Sequence, residues 1–120
     1  MSRLTIAGLE CVGTNRKGWT MSEIFIPFLP EWKDKLLSGD KTHTCRSKAY
    51  GKPGDRFTLF GATFELVRVW QETLDTVAMR YFDVEGCASP QEFIAVWDKI
   101  HPRRKFNPDD VRWLHHFKKV

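Results

Sequence analysis

Gly39-Asp40-Lys41-Thr42-His43-Thr44-Cys45-Arg46 is the stretch on which the reading of this chain turns. Before it, Pro30–Ser38 has proline and an acid, Glu31, in its first turn, and Gly39 stands where a helix stop belongs. Trp32 and Leu36, four residues apart, are expected to face the core. Thr42–Arg46 alternates threonines and predicts a short strand. If that strand is regular, Thr42, Thr44 and Arg46 share a face looking into a cleft, with His43 and Cys45 in packing on the other. Lys41 lies an odd number of residues from Thr44 and would point away from it within one strand. On the turn after Gly39 it can reach the same side. Ser47–Asp55 then reads as a polar loop closed by the turn Gly51-Lys52-Pro53-Gly54-Asp55.

Upstream, Ile24–Leu29 is apolar and predicts a strand that Pro27 confines to an edge or a bulge. Met1–Thr20 has no clear period and reads as a loose arm or one peripheral strand, Leu4–Leu9. Met21-Ser22 opens the cleaner pattern, so the expected division is an arm, 1–20, and a domain, 21–120. Downstream, Arg56–Phe60 and Thr63–Trp70, joined by Gly61-Ala62, form a hairpin with Phe57 and Leu59 inward. Leu74–Phe82 changes to helical spacing, and Asp83-Val84-Glu85-Gly86 ends it. Ser89-Pro90-Gln91-Glu92 reads as an N-cap, a first-turn proline and a capping box, with Phe93, Val96, Trp97 and Ile100 as the buried stripe that follows. His101-Pro102 stops this helix, and Val111–Lys119 closes the chain as a strand. Trp32, Trp70, Trp97 and Trp113 are expected in the core. Strands interrupted by three helices predict an α+β domain, a small, partly open mixed β-barrel with helices packed at its ends.

The 120 residues are 42% hydrophobic and 28% charged, enough for a single core without disulfide or metal staples. No apolar run reaches the roughly 18–20 residues of a membrane helix, and no leader pattern opens the chain. The expected location is the cytoplasm. Cys11, Cys45 and Cys87 are odd in number and far apart, which argues against a disulfide framework and a cysteine-built zinc site. His43 and Cys45 share a face without a third ligand, and His115-His116 alternate, so neither metal nor cofactor is expected. Net charge is +4, but Lys99–Val120 holds seven bases against two acids while the rest sums to −1. That basic end fits either a phosphate-bearing partner or a solvated surface.

Gly39-x-Lys41-x-x-Thr44-x-Arg46, the Gly54-Asp55 turn, Val84-Glu85-Gly86, Ser89–Phe93 and the final aromatic strand together resemble the ASCH domain of the PUA-like superfamily, over about Ile24 to Lys118. The resemblance implies a PUA-like barrel and a role with RNA or nucleosides. Threonine at position 44, where many such domains carry glutamate, is similar to a subgroup of N4-acetylcytidine amidohydrolases. By that resemblance Lys41 is the proton acceptor, Thr44 the nucleophile and Glu85 the proton donor. The partner expected is then a modified nucleoside or RNA, with no membrane and no protein partner evident.

Read as chemistry, such a site needs a partly dry pocket. A threonine hydroxyl needs a base within reach, a lysine base needs a lowered pKa, and a glutamate donor a raised one. Arg46 is a candidate for holding a phosphate or base carbonyl, with an ion pair to Asp55 or another acid the structural alternative. Tyr50 is a candidate for stacking on a base, and Thr42 for a place on the same face. Arg103, Arg104 and Lys105 are candidates for tracking a phosphate backbone. Two function classes stand: an amidohydrolase, and an RNA-binding module that uses the same cleft and the basic C-terminal segment without reaction. If neither holds, Lys41 is a surface lysine pairing Asp40 or Glu85, and the threonines are β-formers.

Overall fold

A computed structural model describes residues 12–14 and 20–120, with side chains from Ser22 onward. The proposed Leu4–Leu9 strand and Cys11 lie outside these residues. Among the described residues the strands are β1 (Val12–Thr14), β2 (Thr20–Ser22), β3 (His43–Arg46), β4 (Arg56–Leu59), β5 (Ala62–Thr73) and β6 (Val111–Lys119). The α-helices are α1 (Lys33–Ser38), α2 (Leu74–Arg80) and α3 (Pro90–Ile100), and a 3₁₀ turn, Pro30–Trp32, leads into α1. β1 and β2 form a small antiparallel pair. The main sheet is antiparallel in the order β3-β6-β5-β4. Among the described residues the one parallel contact is a bridge between Glu23 and Arg56. A register shift between Leu66 and Arg68 bends the long strand β5, and the sheet curls into a half-barrel.

The segment Ile24–Leu29 differs from its expected form. It is extended chain, held by the Glu23 bridge and by Ile24 N–H donating to Arg56 O at 2.8 Å. Pro27 lacks the donor a ladder needs, so the run stops short of a strand although Ile26 is buried.

Two clusters fill the two faces of the sheet. One gathers Ile26, Leu36, Phe57, Phe64, Leu66 and Phe117, whose rings meet edge-on at 5.5–5.7 Å around Phe117. Each buried phenylalanine contributes about 1.5–3 kcal/mol by leaving water. The other gathers Leu74, Val77, Ala78, Cys87, Phe93, Trp97 and Leu114 under α2 and α3. The expected stripe of α3 is half realised: Phe93 and Trp97 are buried, while Ile100 is 42% exposed. Trp32, Trp70 and Trp113 are only partly buried.

Turn chemistry matches the sequence closely. Gly39 caps α1 in the left-handed region at φ 88°. Phe60 and Gly61, at φ 51° and 80°, make the two-residue turn between β4 and β5. The Ser89 hydroxyl caps α3 by accepting from Glu92 N–H at 3.1 Å; the Glu92 carboxylate reaches back to Ala88 N–H, one residue before the expected partner. Asp55 is buried and accepts from Ser22 N–H, Lys52 N–H and Lys52 Nζ, so it locks the turn and does not pair Arg46.

Candidate functional site

β3 is an edge strand, and its free side is where the site forms. Phe117 N–H donates to Thr42 O at 2.9 Å, which sets the parity of the β3–β6 ladder. Thr44 and Arg46 therefore turn their peptide groups toward β6, and His43 and Cys45 turn theirs outward. His43 N–H does point outward, to Val84 O at 3.1 Å, and Thr42 N–H donates to the same carbonyl at 2.8 Å. The turn after α2 is thus fastened to the mouth of β3. That turn carries Glu85, whose own N–H donates to Tyr81 O at 3.0 Å.

Gly86 makes the approach possible. It sits at φ 97°, and a Cβ there would lie 3.0 Å from the Trp32 ring and 3.4 Å from Lys41 Cβ. Lys41 occupies the turn between α1 and β3, its N–H donating to Lys35 O at 3.0 Å. From there its side chain runs inward, only 3% exposed. Lys41 Nζ donates to Glu85 O at 2.7 Å and to Glu85 Oε1 at 3.1 Å, under the Trp32 ring at 4.5 Å from its centre. Glu85 Oε2 is buried with no hydrogen-bond partner. Burial pushes the Glu85 carboxyl above the ordinary carboxylate range, and the Lys41 ammonium opposes the shift.

Thr44 is buried, and its hydroxyl accepts from Arg46 Nε at 3.0 Å. Arg46 Nη2 donates to Pro27 O at 2.6 Å, and its guanidinium lies between the Phe28 ring at 4.8 Å and the Tyr50 ring at 5.6 Å. Behind the strand, fully buried His115 fixes this corner. Tyr50 N–H donates to its Nε2 at 3.0 Å, so Nδ1 carries the proton and donates to Thr44 O at 3.2 Å. Burial lowers the pKa of this imidazole, in keeping with a neutral ring.

Lys41, Thr44, Arg46, Tyr50 and Glu85 line a cleft of about 460 Å³, bounded also by Pro27–Leu29, Trp32, Trp97 and Arg112. The volume falls within the usual range of small-ligand sites. Thr44, Cys45, Arg46 and Ser47 all line it, which alternating side chains cannot do from one face. The cleft runs along the strand's edge, and there the expected facial division needs correcting. Cys45, expected in packing, lines the cleft, its thiol pKa raised by burial. Thr42, expected beside Thr44, does not line it; β3 begins one residue later and the Thr42 hydroxyl bonds His43 Nδ1 at 2.9 Å. His43 does lie in packing, stacked on His116 at 4.4 Å and Tyr81 at 5.6 Å.

Of the candidate residues, the fold brings Lys41, Thr44, Arg46, Tyr50 and Glu85 together. Arg103, Arg104 and Lys105 stand exposed on the loop after α3, outside this cleft. Sequence reasoning missed Trp32, Trp97 and Arg112 as cleft residues. The tryptophans repeat at core spacing and gave no separate signal, and Arg112 was hidden in the general basic charge of the C-terminal end.

Neither a protein-family model nor a curated protein matches the sequence. Solved structures do match in shape. The ASCH domain from Lactobacillus crispatus JV V101 superposes with a TM-score of 0.58 at 18% identity, covering 82% of this chain and 79% of that one. Protein EF3133 from Enterococcus faecalis V583, of the DUF984 family, gives 0.55 at 20% identity, covering 75% and 67%. This chain therefore has the α+β, PUA-like fold of ASCH domains, with a cleft at the edge of its sheet. None of its described helices is long and apolar enough to cross a membrane.

Proposed function

We propose that this domain binds a modified nucleoside and hydrolyses the amide of N4-acetylcytidine-type substrates. Lys41 is the proton acceptor, Thr44 the nucleophile and Glu85 the proton donor. The observation that carries the reading is the convergence of these three buried side chains on one cleft where Glu85 Oε2 has no partner.

Burial of the pair supports the acid half of this scheme, because it raises the Glu85 carboxyl. In a low-dielectric wall an ammonium–carboxylate pair loses much of its advantage over the neutral amine and acid. Passing one proton from Lys41 to Glu85 makes a base and an acid together. Thr44 Oγ1 then bonds to the acetyl carbon, its proton going to Lys41 Nζ. The C–N bond breaks, its electron pair going to N4, which takes the Glu85 proton. Cytidine leaves and an acetyl ester remains on Thr44. A water molecule, giving one proton to the Glu85 carboxylate, attacks that ester; acetic acid departs and the threonine oxygen recovers a proton from Lys41. Arg46, already donating to Thr44 Oγ1, holds the hydroxyl in place. Tyr50 and Trp32 offer ring faces for the base.

The test is cytidine release from N4-acetylcytidine, followed by chromatography, for wild type, Lys41→Ala, Thr44→Ala and Glu85→Gln. Wild-type release that falls at least about a hundredfold in each variant is expected. No release by wild type removes the substrate assignment; release undiminished in the variants removes the residues.

One observation favours the second reading, a binding module without reaction. At rest Lys41 is engaged on Glu85 and the Thr44 hydroxyl on Arg46, with no hydrogen bond between Lys41 and Thr44 among the described residues. In that case RNA binds through the same cleft, Arg103, Arg104 and Lys105 track its backbone, and affinity falls steeply with salt. Salt-independent RNA affinity would contradict it.

A further inference from the structure

Among the described residues the cleft wall holds three lysine or arginine cations, Lys41, Arg46 and Arg112, besides the His101 ring, against one carboxylate, Glu85. Two of the three are committed. Lys41 is bonded to Glu85, and Arg46 to Thr44 Oγ1 and Pro27 O. Arg112 is not. Its side chain is only 13% exposed, yet its nearest acid, Asp110 Oδ2, is 3.7 Å from Nη2, beyond hydrogen-bond length. Among the described residues it donates no hydrogen bond. Its guanidinium lies 5.2 Å from the ring centre of Trp97, whose own Nε1–H is buried and unpartnered. His101 stacks on the same Trp97 ring at 4.2 Å and lines the same wall. One part of the cleft therefore pairs an ammonium with a carboxylate, and another presents a guanidinium with no carboxylate in the lining.

A largely buried guanidinium whose acid partner stands at 3.7 Å, with no hydrogen bond among the described residues, keeps its donors for a ligand and fits a planar or tetrahedral oxyanion that takes two of its hydrogens at once. We propose that Arg112 is the phosphate-binding residue of this cleft, and that its ligand is a phosphate ester of the nucleoside, a nucleotide or a nucleotide within a short RNA. The proposal rests on the functional reading above for the nucleobase. It assigns the phosphate to Arg112 and not to Arg46 or the exposed Arg103–Lys105 loop.

Binding of the intact chain to cytidine, cytidine 5′-monophosphate, cytidine 3′-monophosphate and a cytidine trinucleotide, measured by calorimetry, tests it. At least one phosphate ester is expected to bind about tenfold tighter than cytidine or better, the scale of one charge-assisted contact. Which ester gains most separates the mononucleotide from the RNA source. Arg112→Gln is expected to bring the esters within about twofold of cytidine, and Arg112→Lys to fall between, because it keeps charge without the fork. Arg80→Gln removes an equal charge from an exposed position on α2 and should keep the preference. In wild type, inorganic phosphate should displace the ester without displacing cytidine, a measurement that stands even if an Arg112 variant folds poorly. Equal affinities in wild type, a preference that survives in Arg112→Gln, or no measurable binding of any ester overturns the proposal. Cytidine release without ester preference would leave the amidohydrolase standing and remove this inference; ester preference without release would do the reverse.

Discussion

Lys41 Nζ holds two oxygens of the same residue, the main-chain carbonyl and the carboxylate of Glu85, at 2.7 and 3.1 Å. The ammonium therefore fixes both the path of the turn and the charge inside it. Lys41→Met leaves the carboxylate buried alone, which should cost about 3–5 kcal/mol at neutral pH. The sign with pH follows from the raised Glu85 pKa. A folded-state value above the ordinary 4.5 makes the native state hold the proton, so stability falls as pH rises from 4.5 through the raised value. The deficit of the variant against wild type, read from melting temperatures, should shrink from pH 8 to pH 5. A deficit constant with pH would contradict the pairing.

His43 acts in the opposite direction. Its pKa is lowered from 6.5 to about 4, first by burial and then by His116 and Lys41. The native state binds fewer protons than the unfolded chain, so this contribution is complete above pH 6.5 and is lost as pH falls toward 4. At most about 3.5 kcal/mol is involved. In His43→Phe, which keeps a ring in the stack, urea midpoints between pH 7 and 4.5 should change less than in wild type.

His115→Phe should be more damaging than its distance from solvent-facing chemistry implies. It removes the acceptor for Tyr50 N–H and a donor to Thr44 O in a site with no exposure. About 2–4 kcal/mol of stability should be lost, with faster hydrogen exchange at the Tyr50 amide. Unchanged exchange there would mean that this imidazole does not hold the loop.

Gly86→Ala and Gly61→Ala separate backbone strain from crowding. Both positions have positive φ, but a Cβ at Gly61 meets nothing within 4 Å, whereas one at Gly86 meets Trp32 and Lys41. Gly61→Ala should cost about 1 kcal/mol. Gly86→Ala should cost roughly 2–3 kcal/mol and also weaken cytidine binding, because the turn carrying Glu85 must move. Equal binding by the two variants would show that the turn tolerates displacement.

Much of the fold was readable because local signals agreed: Gly39 as a helix stop, Ser89-Pro90 as a helix start, and the period change at Leu74. The same signals placed Lys41 on a turn, the condition for its reaching the side of Thr44. What could not be read depends on neighbours distant in sequence. That Ile24–Leu29 remains extended chain depends on where β4 lies. That Cys45 lines the cleft and Thr42 does not depends on β3 being an edge strand. Trp97 and Arg112 join the cleft only because α3 and β6 pack together. Spacing in one dimension contains none of this.

The outward-facing peptide of Cys45 has one more consequence. An uncovered strand edge is a template on which another chain can add itself, the first step of ordered aggregation. Here the turn at Val84 occupies the first position of that edge, and the remainder lies within a narrow cleft walled by Pro27–Leu29 and α3. A flat strand cannot enter there easily, while a small planar ring can. Recessing the edge thus guards the folded protein against self-association while leaving its main-chain donor and acceptor within reach of a ligand.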